Sequence, residues 1–111
     1  GMKQINYSYL AGRIEAFLQH IGWSLLRGDC IEDERIADII QKAINIEVGQ
    51  INVSAQGNRA YQCGRFEALL GRLGYIIKQL DPETDEWMIN DWANLKLRQI
   101  RTDAEQYASG E

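Results

Sequence analysis

The chain has little of what most enzymes and disulfide-rich scaffolds depend on. It contains one proline, one histidine and two cysteines among 111 residues. A single histidine excludes a di-iron carboxylate bundle, which draws on paired Glu-x-x-His motifs. Cys30 and Cys63 are too few and too unpatterned for a disulfide framework or a zinc site, so no metal is expected. They read as reduced thiols of a cytoplasmic protein, and Cys63, inside an apolar helical pattern, reads as a small core residue. No apolar run approaches the roughly 18 residues of a membrane span, so a soluble protein with no membrane partner is expected. No secretory leader is recognisable; Met2 reads as the natural start and Gly1 as the residue left by a cleaved tag. No glycine-rich phosphate loop occurs, and no cofactor is implied. Positive charge is also scarce. The formal net charge is −4 and the isoelectric point about 5.0, which makes nucleic acid an unlikely partner because phosphate binding needs a concentrated excess of Lys and Arg.

What is present is enough apolar material to fold. Hydrophobic residues make up 45% and charged residues 25%, the balance of a globular chain and not of a disordered one. Pro82 is the sole proline, so long stretches run without a helix breaker, and no useful length alternates with period two. The fold class expected is all-α.

A repeat organises the chain. The segment from Gln4 reads QINYSYLAGRIEAFLQHIGW and the segment from Gln56 reads QGNRAYQCGRFEALLGRLGY. At one constant offset, Asn6 falls on Asn58, Tyr9 on Tyr61, Gly12-Arg13 on Gly64-Arg65, Glu15-Ala16 on Glu67-Ala68, Leu18 on Leu70 and Gly22 on Gly74. Two unrelated amphipathic helices would share apolar positions; they would not also share Asn, Gly, Arg and Glu. Asn6 and Asn58 stand where a helix N-cap is wanted. After each copy comes a polar break, with Gly28 suited to the left-handed position past a helix end, and with Asp81-Pro82 suited to an N-cap and first helical residue. Four helices follow, at about 6–27, 33–53, 58–80 and 83–108. The expected architecture is a four-helix bundle of two tandem-duplicated helical hairpins with pseudo-twofold symmetry. It forms a single domain over 1–111, with one hairpin at about 4–53 and the other at about 56–108.

In the first helix Tyr7, Leu10, Ile14, Phe17, Leu18, Ile21 and Leu25 form an apolar stripe; its repeat carries Phe66, Leu69, Leu70, Leu73, Ile76, Ile77 and Leu80. The second helix of each pair carries Ile36, Ile39, Ile40, Ala43, Ile44, Ile46 and Ile51, and Met88, Ile89, Trp92, Ala93, Ile100, Ala104 and Tyr107. Glu47 and Lys96 fall inside those arcs, where they either pair or extend to the edge. The first helices carry something more. Roughly 180° from the apolar stripe lie Tyr9, Gly12, Ala16 and Trp23, and in the second copy Tyr61, Gly64, Ala68, Gly71 and Tyr75. Glycine inside a helix costs about 1 kcal/mol relative to alanine, so such a strip implies close approach of another backbone. Either the second helices wrap round to cover it, or it is an interaction surface.

Catalytic chemistry is thin. Arg13 and His20 lie two turns apart on one helix, and Arg followed by six residues and His resembles the active-site motif of the helical HEPN ribonucleases. That resemblance implies metal-independent RNA cleavage, with Arg13 and His20 stabilising and protonating groups at the phosphodiester. It covers these two residues only. Ile14 stands where a polar residue usually follows the Arg, and the second copy has Arg72 in place of His20. Arg13 and Arg65 each precede a Glu by two residues, which suggests a structural ion pair. Glu83-x-x-Glu86 has the spacing with which MazG-type pyrophosphohydrolases hold Mg²⁺, but at a helix start, where acids are favoured anyway. Cys30 and His20 could form a nucleophile pair, although Asp29, Glu32 and Asp33 would raise the thiol pKa. A basic patch of Arg59, Arg65, Arg72 and Lys78 is weakened by Glu67. The reading that survives is a non-enzymatic protein–protein interaction or regulatory module, self-associating as a homodimer or larger homo-oligomer. The alternative is a helical enzyme, either the ribonuclease or the Mg²⁺-dependent pyrophosphohydrolase.

Overall fold

The computed structural model describes the backbone of residues 5–109 and the side chains of residues 5–106; Gly1, Met2, Gln4 and the Tyr107 side chain lie outside them. Among the described residues there are six helices and no strand: α1 (Tyr7–Gln19), α2 (Ile21–Arg27), α3 (Glu34–Ala55), α4 (Arg59–Gly71), α5 (Leu73–Leu80) and α6 (Glu86–Ser109). None is long and apolar enough to cross a membrane.

Six helices stand where four were expected because each of the two leading helices breaks, at His20 and at Arg72. The His20 N–H is shared between the carbonyls of Ala16 and Phe17, and the Arg72 N–H between those of Ala68 and Leu69. Two residues past each break, a side chain from a neighbouring helix enters the ladder. Gln41 Oε1 accepts the Gly22 N–H at 3.0 Å, and Asn90 Oδ1 accepts the Gly74 N–H at 3.0 Å. A side chain inserted into the helical hydrogen-bond ladder is a recognised cause of such interruptions. Both glycines are required by contact. A Cβ at Gly22 would lie 2.8 Å from the Ala37 carbonyl oxygen, and one at Gly74 would lie 2.6 Å from that of Glu86.

Helix ends follow local chemistry. Asn6 Oδ1 accepts the Tyr9 N–H at 3.0 Å and Asn58 Oδ1 the Tyr61 N–H at 3.1 Å, so both asparagines cap their helices. Two expectations at the breaks are corrected. At the end of α2 the left-handed residue is Asp29 (φ 60°) and not Gly28 (φ −84°). There the Cys30 N–H reaches back to the Leu25 carbonyl and that of Asp29 to Leu26, which closes a Schellman-type cap. Pro82 does not begin α6. Asp81 and Thr84 instead form a turn, with the Thr84 hydroxyl donating to Asp81 Oδ2 at 2.7 Å and Lys78 Nζ donating to the carbonyls of Pro82 and Thr84. The link between α3 and α4 is only Gln56 (φ 48°), Gly57 (φ 86°) and the cap Asn58.

One apolar cluster runs through all the helices, with Leu10, Ile14, Leu18, Ile40, Ile44, Phe66, Leu70, Ile89 and Ile100 among its buried members. α1 packs on α4, each of these two touches both α3 and α6, and among the described residues α3 and α6 do not touch. Arg13 of α1 meets Asp103 while Phe17 meets Trp92, so α1 and α6 run antiparallel. The molecule is a flattened body measuring 46 × 26 × 18 Å, with α3 and α6 at its edges. Edge position narrows what those helices bury. Along α3 the buried positions are Ala37, Ile40, Ile44, Val48, Ile51 and Ala55, while Ile39 and Ile46, expected in the core, are exposed, as is Met88 on α6. Tyr7 and Leu80, at the ends of their stripes, are likewise exposed.

Candidate functional site

The aromatic and small strip lies in the open. Gly12, Ala16 and Trp23 on α1 and α2 are exposed and Tyr9 is half-buried; Tyr61, Gly64, Ala68, Gly71 and Tyr75 on α4 and α5 are all exposed. A Cβ placed on Gly12, Gly64 or Gly71 would meet no atom within 4 Å. Close backbone approach within the chain therefore occurs at Gly22 and Gly74, and the strip is not covered by α3 or α6. The buried residues of α1, such as Leu10, Ile14 and Leu18, lie on the opposite side of the helix from Gly12 and Ala16. The same holds for α4, where Phe66, Leu69 and Leu70 are buried and Gly64 and Ala68 are exposed.

Each strip is flanked by the same pinned arginine. Arg13 Nη1 donates to the Tyr9 hydroxyl at 2.7 Å and sits 5.6 Å from the centre of its ring; Arg65 Nη1 donates to the Tyr61 hydroxyl at 2.8 Å, with its guanidinium 5.8 Å from that ring. Arg13 also bonds Asp103 Oδ2 at 3.3 Å, and the Tyr9 hydroxyl followed by Asp103 holds its pKa above the ordinary arginine value. The Arg–Glu pairs expected within one helix do not form, because residues two apart point to different sides. Glu15 instead accepts from Asn52 of α3, and Glu67 pairs with Arg101 of α6.

Arg13 and His20 do share a site. They line one shallow depression of about 240 Å³ together with Ala16, Phe17, Ser24, Lys96 and Ile100. A second depression, lined by His20, Trp23, Ser24 and Arg27, shares two of those residues and so adjoins it. Ser24, Arg27 and Lys96 were not singled out as a group by the sequence. The seven-residue step that links Arg13 to His20 also links His20 to Arg27, and that signal was available. Lys96 does not pair with Glu47 among the described residues; its Nζ lies 5.9 Å from the centre of the Phe17 ring, which packs edge-on against Trp92 at 5.1 Å. On the far side of Trp23 is a groove of about 220 Å³ between α2 and α3, lined by Gly22, Leu26, Glu34, Ala37, Asp38 and Gln41.

The other candidates separate. Cys30 lines a different depression from His20, among Asp29, Glu32, Asp33, Asp81 and Glu83, so the two do not form a nucleophile pair. Arg35 N–H groups hold the Asp33 carboxyl below its ordinary value. Cys63 is buried, and burial, then the Glu67 charge, pushes its thiol up to about 11. Glu83 lies in the turn before α6 while Glu86 lies in its first turn. Among the described residues no group of three or more His, Cys, Asp or Glu side chains could hold a metal ion. In the basic patch, Lys78 is spent on backbone carbonyls and Arg59 donates to Gln62. The chain matches no protein-family profile, none of the curated proteins and none of the solved structures.

Proposed function

We propose that this protein is a non-enzymatic, cytoplasmic protein–protein interaction module that associates with itself. Its architecture in this reading is one domain of two tandem-duplicated hairpins. α1–α2 with α3 forms one, α4–α5 with α6 the other, and a pseudo-twofold axis between α1 and α4 makes the whole a four-helix bundle. Recurrence of the asparagine caps, the tyrosine–arginine pairs and the amide-to-glycine bonds in both halves supports that duplication.

The observation that carries the functional reading is the exposure of both strips. Trp23 and Tyr75 are 63% and 56% exposed, beside helical glycines with open space above them. Flat, small-residue helix faces flanked by aromatic anchors suit another helix at close range. Since the two strips lie on different helices, use of both would extend assembly beyond a closed dimer. Light scattering or sedimentation over a concentration series tests this. Mass should rise with concentration in the wild type, and Gly64→Leu, which places a bulky side chain on the strip, should lower it. A monomer at all concentrations removes the proposal.

A second reading, a HEPN-like ribonuclease, is favoured by one observation: Arg13 and His20 open onto the same depression. RNA cleavage by the wild type that is lost in His20→Ala would support it, and absence of cleavage ends it.

A further inference from the structure

We infer that the two adjoining depressions along α1 and α2, the first also bounded by α6, together bind a nucleotide-sized ligand, with phosphate held by their cations and an aromatic base laid on Trp23. This does not rest on the interaction reading, although both use Trp23.

The lining brings together four side chains able to carry positive charge, Arg13, His20, Arg27 and Lys96, from three helices and the break between two of them. On a chain of net charge −4 this is a local reversal of sign. Arg13 spends one nitrogen, Nη1, on Tyr9 and Asp103; a guanidinium has five N–H donors, so Nη2 and Nε remain for a phosphate oxygen. Its tie to Tyr9 fixes the side chain before any ligand arrives, which lowers the ordering cost of binding. Asp103 partly offsets its charge, and Lys96 supplies a second cation over the Phe17 ring. Ser24 lines both depressions.

Length and sign limit the ligand. Arg13, His20 and Arg27 are seven residues apart, roughly 10 Å per step along a helix. Phosphates between Arg13, Lys96 and His20 therefore leave a base within reach of Trp23, one turn further on. Beyond Trp23 the surface turns acidic, with Glu34 and Asp38 lining the next groove. A long polyanion would meet those carboxylates, whereas one nucleotide would not. Stacking on an exposed aromatic side chain supplies affinity without reading the base.

The test is a magnesium-free titration of the ¹⁵N-labelled full chain with ADP, inorganic pyrophosphate, adenosine and a single-stranded RNA oligonucleotide. ADP should move the Trp23 indole N–H and the backbone N–H signals of His20 and Ser24. Lys96→Gln should weaken ADP and pyrophosphate alike, by roughly fivefold for one exposed charge contact. Trp23→Ala should weaken ADP and leave pyrophosphate unchanged. Both side chains reach solvent, and a thermal melt of each variant checks that it folds. No saturable shift with ADP, shifts confined to other residues, or equal binding by both variants and wild type would overturn the inference. So would RNA binding whose affinity grows with oligonucleotide length, since that would mark an extended strand site.

Discussion

Replacement of Gly74 by alanine should destabilise the protein, whereas the same replacement at Gly64 should stabilise it. Both glycines sit in helical sequence, so propensity alone favours alanine at each by about 1 kcal/mol. At Gly64 nothing lies within 4 Å of the new methyl, and that gain is realised. At Gly74 the methyl would lie 2.6 Å from the Glu86 carbonyl oxygen and 2.6 Å from Asn90 Oδ1. The carbonyl belongs to the α6 backbone and cannot rotate away, so α5 and α6 must separate by most of an ångström. Overpacking of this kind costs about 1–3 kcal/mol, and loss of the Gly74 N–H bond to Asn90 adds about 1 kcal/mol. After the propensity gain, Gly74→Ala is expected to lose about 1–3 kcal/mol. A domain of this size changes Tm by roughly 4 °C or more per kcal/mol, so thermal unfolding followed by circular dichroism separates the two variants clearly. Low protein concentration keeps self-association from contributing. If Gly74→Ala melts at or above the wild type, the close α5–α6 approach is wrong; if Gly64→Ala melts well below it, the open strip is wrong.

Other outcomes follow from single contacts. Asn58→Ala removes the cap on α4 and should cost about 1 kcal/mol in urea unfolding, with Asn6→Ala similar at α1. Asp29→Gly relieves a left-handed backbone position and should stabilise by about 0.5–1 kcal/mol, readable as a higher urea midpoint. Cys63 should resist a thiol reagent until the protein unfolds, while half-exposed Cys30 reacts in the native state; equal native rates would contradict the burial of Cys63. Burial raises the folded Cys63 pKa from 9.0 to about 11, so its contribution is complete below pH 9 and is lost as pH rises toward 11. Stability should fall more steeply over that window in the wild type than in Cys63→Ala.

Much of the local structure was legible in the sequence because its causes are local. Asn6 and Asn58 cap helices through a bond three residues long, and a stripe such as Leu10, Ile14, Leu18 and Ile21 marks a buried face whatever covers it. The match between the segments from Gln4 and Gln56 also set Gly22 against Gly74, without saying what either glycine does. Its partners, Gln41 and Asn90, come from other helices and from positions the match did not reach. For the same reason the breaks at His20 and Arg72 were invisible: an intact amphipathic pattern continues through both.

Sequence by itself therefore determined the helical class, the Asn6 and Asn58 caps and the apolar stripes, all of which depend on residues within a few turns of one another. Only tertiary structure decided which glycines meet a backbone and which face open space. It placed α3 and α6 at the edges, so Ile39 and Ile46 stay exposed, and left both strips uncovered. It also gathered Arg13, His20, Arg27 and Lys96 along two adjoining depressions. Such features depend on how far helices stand apart and in which direction they cross. Those quantities are set by the packing of the whole core, and no single segment encodes them.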